Sequence, residues 1–502
     1  MGSIIGLDGK ALAMDGQAYE GATRSPRGYG WAAPNIGPNT AVAAAGATLR
    51  NRSRAGYRNS PLLRSAINKA VTSEVGKGST VSSQCADLDV RKQLNALWKV
   101  HQNQLDPWGD MSFGQILSQA VRARKTAGEV FIRRVPISQA WGIKVPFQIQ
   151  VLEAEFCPLG LNRRLSGNRR IVSGVEFVGR KKAAFWFHLQ HPGEGQTFET
   201  DRLVRVPARD VIHHFNPIRP GQIRGEPDTG AALLKDREFA DYSDAELTRK
   251  KTRSAFTGFL YREEFGEEDF DFDPMTGQKL FDDEDGDASP PAPETDQPMS
   301  VQAGTVLRGR PGDKMQMFEG DNTGSGFKDF VKWQALQLAA ALDIPYPLLT
   351  GDWEGLSDRT IRAVMNEYRR GVTADQANLL GFQLCLGVWK WFVNACVLNG
   401  LVSAPGFASD PWKFYNLDIR HDAWRHLQPE QDIRSRSMAV ASNLSNYERE
   451  AAECGGDVEE NIKANIRVVK AWRAACEAEG LDPDKLGVFK PAQQETEKET
   501  DE

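Results

Sequence analysis

Two spacings of apolar residues alternate along this chain, and the switches between them mark its elements. Leu62, Leu63, Ala66, Ile67, Ala70 and Val71 share one face of a helix that begins at Ser60-Pro61 and stops before Gly76. Before it, Asn39 or Thr40 can cap a helix whose end carries Arg50, Arg52, Arg54 and Arg58. These arginines read as solvated surface that compensates the helix dipole, with a subunit interface or DNA contact as the alternatives. Helical spacing returns over 91–103 and 113–126, the latter lined by Met111, Ile116, Leu117, Ala120 and Val121. Gly128 then changes the period to two, and 129–135, 147–151, 174–178, 184–189 and 209–215 read as short strands between turns. A long polar helix follows over 230–258, where Glu246 faces Arg249 and Lys250 at helical spacing. Strand-like 299–308 and 314–318 come later. Helices and sheet occupy separate stretches, so the fold class is α+β.

The most strongly patterned stretch is 327–400. Phe327, Phe330, Val331, Gln334, Leu338, Ala341 and Leu342 form one helical face, and Pro345 ends it by pushing Ile344 out of the α region. Pro347 and Gly351 are expected to keep the chain from restarting until Ser357 or Asp358 caps a second helix. Ile361, Val364, Met365, Tyr368 and Val372 continue a stripe toward Leu398, with Gly400 as the stop. A stiff loop carrying Asp352, Trp353 and Glu354 therefore joins two helices. Beyond it, 411–420 should pack on the long helix through Trp412 and Phe414, and 429–441, 447–453 and 457–479 read as short helices.

Composition narrows the chemistry. At 502 residues the chain holds several domains, and its formal charge of −5 does not mark a nucleic-acid binder. Fourteen acids and two bases fall in 262–298, leaving a mildly basic remainder. Inside that tract D-D-E-D-G-D lacks the aspartate positions and distal glutamate of a calcium loop, so a solvated insertion is expected. Six scattered cysteines without a C-x-x-C pair suit buried thiols in a reducing compartment. The apolar run 384–398 is interrupted by Lys390 and Asn394, which favours a buried helix over a membrane span. No basic-then-apolar leader opens the sequence, so no secretory signal is expected.

Other chemical motifs fail on spacing. G-K-G-S-T at 76–80 has Val71 and Gly78 where a phosphate loop requires glycine and serine or threonine, so it is a turn. Glu153 and Glu155 alternate on one strand and read as structural hydrogen-bonding groups. His188 and His191, and His213 and His214 on opposite strand faces, lack the helical spacing of a zinc site.

Two loops carry a specific resemblance. Ile344-Pro345-Tyr346-x-Leu348-Leu349-Thr350-Gly351-Asp352, followed by Ile361, Arg362, Tyr368, Arg369 and Arg370, resembles the lambda-like family of bacteriophage portal proteins. So does Pro217-x-Arg219-Pro220-Gly221-Gln222-x-Arg224-Gly225-x-Pro227, whose glycines and prolines shape an exposed loop with both arginines facing outward. The runs R-S-P-R-G-Y-G-W, G-E-V-F-I-R-R, V-P-F-Q-I-Q-V-L-E-A-E and V-P-A-R-D-V-I-H-H-F follow the family in the same order.

The resemblance implies a multidomain portal fold with a β-rich wing, a helical stem, a clip and a helical crown. On this sequence those regions become a flexible arm at 1–38, wing at 39–229, stem helix at 230–260 and clip with acidic insertion at 261–326. A second stem helix at 327–344, a channel loop, long helix and remaining wing at 345–426, a crown at 427–481 and a disordered tail at 482–502 complete it. It implies a dodecameric ring at one procapsid vertex of the virion, assembled in the host cytoplasm. The implied partners are other copies of the chain, terminase, major capsid and scaffold proteins, and head–tail connector proteins. Double-stranded DNA would pass without sequence readout, and no membrane is involved. The implied channel loop is Pro345, Tyr346, Thr350, Gly351, Asp352, Trp353 and Glu354. Arg219, Gln222 and Arg224 form a candidate partner loop, and Arg362, Arg369 and Arg370 a candidate ring-interface or DNA-facing set. No cofactor, catalytic residue or metal is expected, so the chain reads as a passive conduit. The alternatives are a phage-associated nuclease or maturation protease, or a smaller head–tail adaptor ring.

Overall fold

The computed structural model describes residues 34–138, 141–194, 202–255, 258–262, 313–317, 326–422, 424 and 429–482. The expectations for the arm before residue 34, the acidic tract, the strand at 299–308 and the tail beyond 482 fall outside them.

Capping chemistry sets the first helices. α1 (Pro38–Asn59) starts with proline, whose missing N–H costs nothing in a first turn. Asn39 does not cap it; its side chain donates to Gly221 O (3.1 Å) and accepts from Ile223 N (2.8 Å), tying α1 to a distant loop. Ser60 caps α2 (Pro61–Val75) by accepting from Leu63 N. β1 (Thr80–Ser83) and α3 (Leu88–His101) follow. α4 (Phe113–Ala127) opens with a reciprocal Ser112–Gln115 capping box and closes on Gly128 at φ 86°. A side chain at 128 would meet the Glu226 backbone at 2.3 Å, so only glycine makes this switch from helix to strand.

β2 (Glu129–Pro136) is the strand around which both cores form. It lies between β3 (Phe147–Glu153) and β9 (Val211–Phe215), antiparallel to each, with Phe131 opposite Leu152 and His213. A second antiparallel sheet runs in order through β4 (Arg163–Arg164), β5 (Arg169–Val172), β6 (Val175–Val178), β7 (Lys181–His188) and β8 (Leu203–Pro207). Strand alternation sends Val130 and Ile132 into the larger core and Phe131 into the smaller one. That smaller core fills the space between the sheets, with Phe131 edge-on to Phe185 and Phe187.

The chain continues through α5 (Leu233–Ala255), β10 (Gly258–Arg262), β11 (Asp313–Met317) and α6 (Gly326–Ala341). β10 and β11 pair antiparallel, and Tyr242 of α5 meets Phe330 of α6 at 4.8 Å. The expected Glu246 pairs with Arg249 and Lys250 are present. After α7 (Tyr346–Thr350), α8 (Asp358–Asp375) runs without a break through a π-helical segment (Gln376–Cys385) into α9 (Leu386–Leu398). Its apolar part enters the larger core, where Trp98 packs against Phe113 (5.3 Å), Trp389 (5.5 Å) and Phe392 (5.0 Å). This helix is long and apolar enough to cross a membrane, yet Trp389 and Phe392 are fully buried within the protein.

The π-helical turn has no counterpart in the hydrophobic pattern. It places Gln376 to donate to Glu74 O (2.9 Å) and Gln383 to bridge Phe215 O and His214. α10 (Trp412–Tyr415) buries Phe414, whereas Trp412 is 65% exposed, with Lys390 of the long helix over its ring. β12 (Leu417–Arg420) then pairs with β1, closing the fold across most of the sequence. α11 (Pro429–Ala441), α12 (Tyr447–Glu453) and α13 (Val458–Ala478) end the described chain, anchored where Arg420 donates to Asp457.

Truncating Trp98 to alanine should cost about 3–5 kcal/mol through the cavity it leaves. Trp108→Ala, at an 83% exposed position, should change stability by less than about 0.5 kcal/mol. Paired denaturant titrations of the two variants check the difference.

Candidate functional site

The loop between the two patterned helices is better ordered than its prolines suggested. α6 ends with Asp343 in the left-handed region (φ 52°) and Ile344 N donating back to Ala339 O. The expectation of an unbroken loop to Ser357 is corrected here, because Tyr346–Thr350 forms the short helix α7. Pro347 is tolerated there since first-turn N–H groups have no intrahelical partner anyway. Gly351 (φ 80°) ends α7, and Ser357 caps α8 as expected.

α7 is fastened to α2. Ile344 and Leu349 pack with Ala66 and Ala339, Ser65 donates to Leu349 O (3.1 Å), and the Lys69 ammonium donates to Leu348 O. At its open end the Tyr346 hydroxyl donates to Asp352 Oδ2 (3.0 Å), while Asp352 Oδ1 accepts from Glu354 N (3.1 Å). The Glu354 N–H and the Tyr346 hydroxyl hold the Asp352 carboxyl below its usual range. Thr350 Oγ1 donates to Tyr346 O and accepts from Asp352 N. Trp353 and Glu354 remain exposed, the latter pairing with Lys328 of α6. The structure thus brings all seven candidate loop residues into one small, acidic, aromatic knuckle.

The second motif loop behaves differently. Arg219 is exposed and donates to Ile36 O (2.9 Å). Gln222 is buried and shapes the loop, accepting from Ile218 N and Arg219 N and donating to Arg224 O. The expectation that both arginines face outward is corrected for Arg224, which is 1% exposed. Its guanidinium donates to Glu129 (2.6 and 2.9 Å) and to Ser173 O, Ala154 O and Cys157 O. Arg50, expected at the surface, is buried on the same Glu129 carboxylate and donates to Ala127 O. His213 Nε2 (2.8 Å) and Gly225 N (3.0 Å) complete the set.

Burial opposes the charge on Glu129, but the Arg224 guanidinium, the His213 hydrogen bond and Arg50 outweigh it, so its carboxyl sits far below the usual range. Burial pushes His213 down to about 4, leaving a neutral ring that donates from Nε2. Sequence reasoning missed this hub. Glu129 opens an ordinary strand, and nothing in the spacing links it to arginines 79 and 95 positions away.

The three candidate arginines of α8 each have a partner within the chain. Arg362 pairs with Asp358, Arg370 with Glu367 (2.9 Å), and Arg369 lies 5.1 Å over the Trp424 ring.

A family model described as "Phage portal protein, lambda family" matches residues 24–376, which include both motif loops and the Glu129 hub. The chain belongs to the lambda family of phage portal proteins. A probable portal protein of Halomonas phage phiHAP-1 is 24% identical over 440 residues, covering 84% of this chain and 80% of that protein. Portal protein B of Escherichia phage lambda is 24% identical over 203 residues, covering 37% and 35%. Among solved structures, a chain from the neck of an empty GTA particle computed with C6 symmetry aligns over 81% of this chain and 93% of its own, with TM-score 0.46 and 14% identity. Membership in the portal family assigns the chain a structural part in a phage particle.

Glu153, Glu155 and His191 come within 4.8 Å of one another. The two acids no longer share one strand, since β3 ends at Glu153 and a 3-10 turn carries Glu155. Arg54 occupies both, with 2.7 and 2.8 Å bonds to Glu155 and 3.2 Å to Glu153, so the guanidinium supplies the positive charge there.

Glu129→Gln should destabilise the protein by about 3–5 kcal/mol, because Arg50 and Arg224 would be left buried without their counter-charge. Arg219→Ala should change stability by under about 1 kcal/mol. For His213 the unfolded ring binds a proton near pH 6.5 and the folded ring only near 4, so stability should fall as pH drops through that window. Buried His101 and His214 act in the same direction, and His213→Asn should flatten the slope by one histidine's share. Denaturant midpoints measured from pH 7 to 4 check both.

Proposed function

We propose that this portal protein is the repeating subunit of a closed ring, a dodecamer, at one vertex of a phage procapsid. DNA is driven through the ring by a separate motor, the terminase, and head–tail connector proteins dock on it afterwards. The observation that carries this reading is the family match running through both motif loops. The ring meets the major capsid and scaffold proteins at its rim and assembles in the host cytoplasm. The chain performs no catalysis of its own in this scheme.

The sheets between Glu129 and Phe215 belong to the wing, and α11 to α13 to the crown. α5 and α6 form the stem, supported by their direct contact and by the β10–β11 pair at their far ends. The clip lies between them. The Pro345–Glu354 knuckle points toward the channel, with Arg362, Arg369 and Arg370 on the helix behind it. Its charge suits passage. Each phosphate neutralised by a cation releases counterions and strengthens DNA binding, so a basic lining would grip the duplex. Asp352 and Glu354 do the opposite.

Electron microscopy of the purified full chain should show rings with a central hole wide enough for a duplex; monodisperse monomers would contradict the proposal. Replacing Asp352 and Glu354 with lysine should tighten duplex binding to the ring. It should also steepen the salt dependence by about 0.9 in log K per log salt for each phosphate newly neutralised. An unchanged slope in a fluorescence anisotropy titration would place the knuckle outside the channel.

A further inference from the structure

α6 carries an apolar hollow on one side and an apolar projection on the other. The hollow is a groove of about 1480 Å³ between the α1–α2 turn, α5 and α6, floored by Leu62, Leu233, Val331 and Ala335. Phe327, Val331 and Ala335 recur every fourth residue, so one face of α6 forms the groove wall. At 100° per residue, Trp333 lies about 160° round the helix from the middle of that face, and Leu336 lies on the flank between them, in line with the groove residues Lys328 and Lys332. Among the described residues these large apolar groups are left 59% and 39% exposed.

We infer that Trp333 and Leu336 of one subunit fill the α5–α6 groove of the next copy in the ring. This rests on the ring proposed above and names the contact that closes it. The argument for a second copy, and not some other protein, is that each chain presents both halves of the contact. A contact between two different patches of the same molecule propagates from copy to copy and closes into a ring when the rotation allows. A symmetric dimer would bury one patch against itself, and a foreign partner would use only one of the two. The rim carries both charge signs, Arg237 and Lys332 beside Asp241 and Asp244, so shape and apolarity select the occupant. Tryptophan is also among the residue types enriched at the energetic centres of interfaces, where it fills well-packed pockets.

Cross-linking tests the contact directly. Among the described cysteines only Cys454 is exposed, so it is first replaced by serine in the full chain. Trp333→Cys is then combined with Leu234→Cys, an exposed position lining the groove, and treated with a short bis-maleimide. The double variant should give a ladder of covalent oligomers up to the full ring, and neither single variant should. Rings seen by electron microscopy without a ladder would overturn this contact while leaving the ring itself standing. Dimers from Trp333→Cys alone would overturn it as well, by showing a symmetric contact. Absence of rings in the unaltered protein would overturn the ring and this contact together.

A second variant, Trp333→Asp with Leu336→Asp, changes exposed positions and should preserve the circular dichroism of the monomer. It should raise the concentration for half-assembly at least tenfold, read by native mass spectrometry. Unchanged assembly would refute the inference.

Discussion

The Glu129 carboxylate holds this fold at its junction. It is wholly buried at the point where α4 turns into β2, and it takes donors from α1, from β9 and from the loop at Arg224. Two guanidinium groups and a carboxylate cannot be taken out of water unless each finds its partners, so the geometry is demanding. The chain meets it by giving Arg224 three backbone carbonyls and Arg50 one, in addition to the shared acid. The result is a junction that ties helix, sheet and loop to one shared carboxylate.

From that junction the rest follows by layers. β2 is buried on both faces, so one strand serves two cores and transmits the position of the outer sheet to the helical side. The long helix crosses the larger core, and its π-helical segment lets Gln376 and Gln383 reach backbone groups of α2 and β9. At the helix's other end, α7 is pinned to α2 by Ser65 and Lys69. The knuckle at Asp352 is therefore mounted on the core and not suspended from it.

What remains uncovered is as informative as what is buried. Large apolar groups stay exposed in the centre, as at Trp108, Trp141, Val178 and Phe382, and also on α6 and α11 to α13, as at Trp333, Ile433 and Ile462. Apolar groups left open on a folded chain suit surfaces that assembly would cover.

Local chemistry was legible in the sequence. Ser60-Pro61, Gly128, Ser357 and Gly400 mark element ends because caps and left-handed turns depend on a few neighbouring atoms. The same holds for the helices at 429–441 and 447–453, and for the two motif loops, whose fixed spacing points to the portal family. Three features came only from the tertiary structure. Arg50 and Arg224 look like surface residues until folding brings them to Glu129, since charge burial depends on partners far away in sequence. α7 forms across two prolines because α2 supplies its packing and carbonyl partners. The π-helical turn arises where two glutamines find backbone groups on other elements. Periodicity reports which face of an element is apolar; only the folded chain decides which distant group meets it.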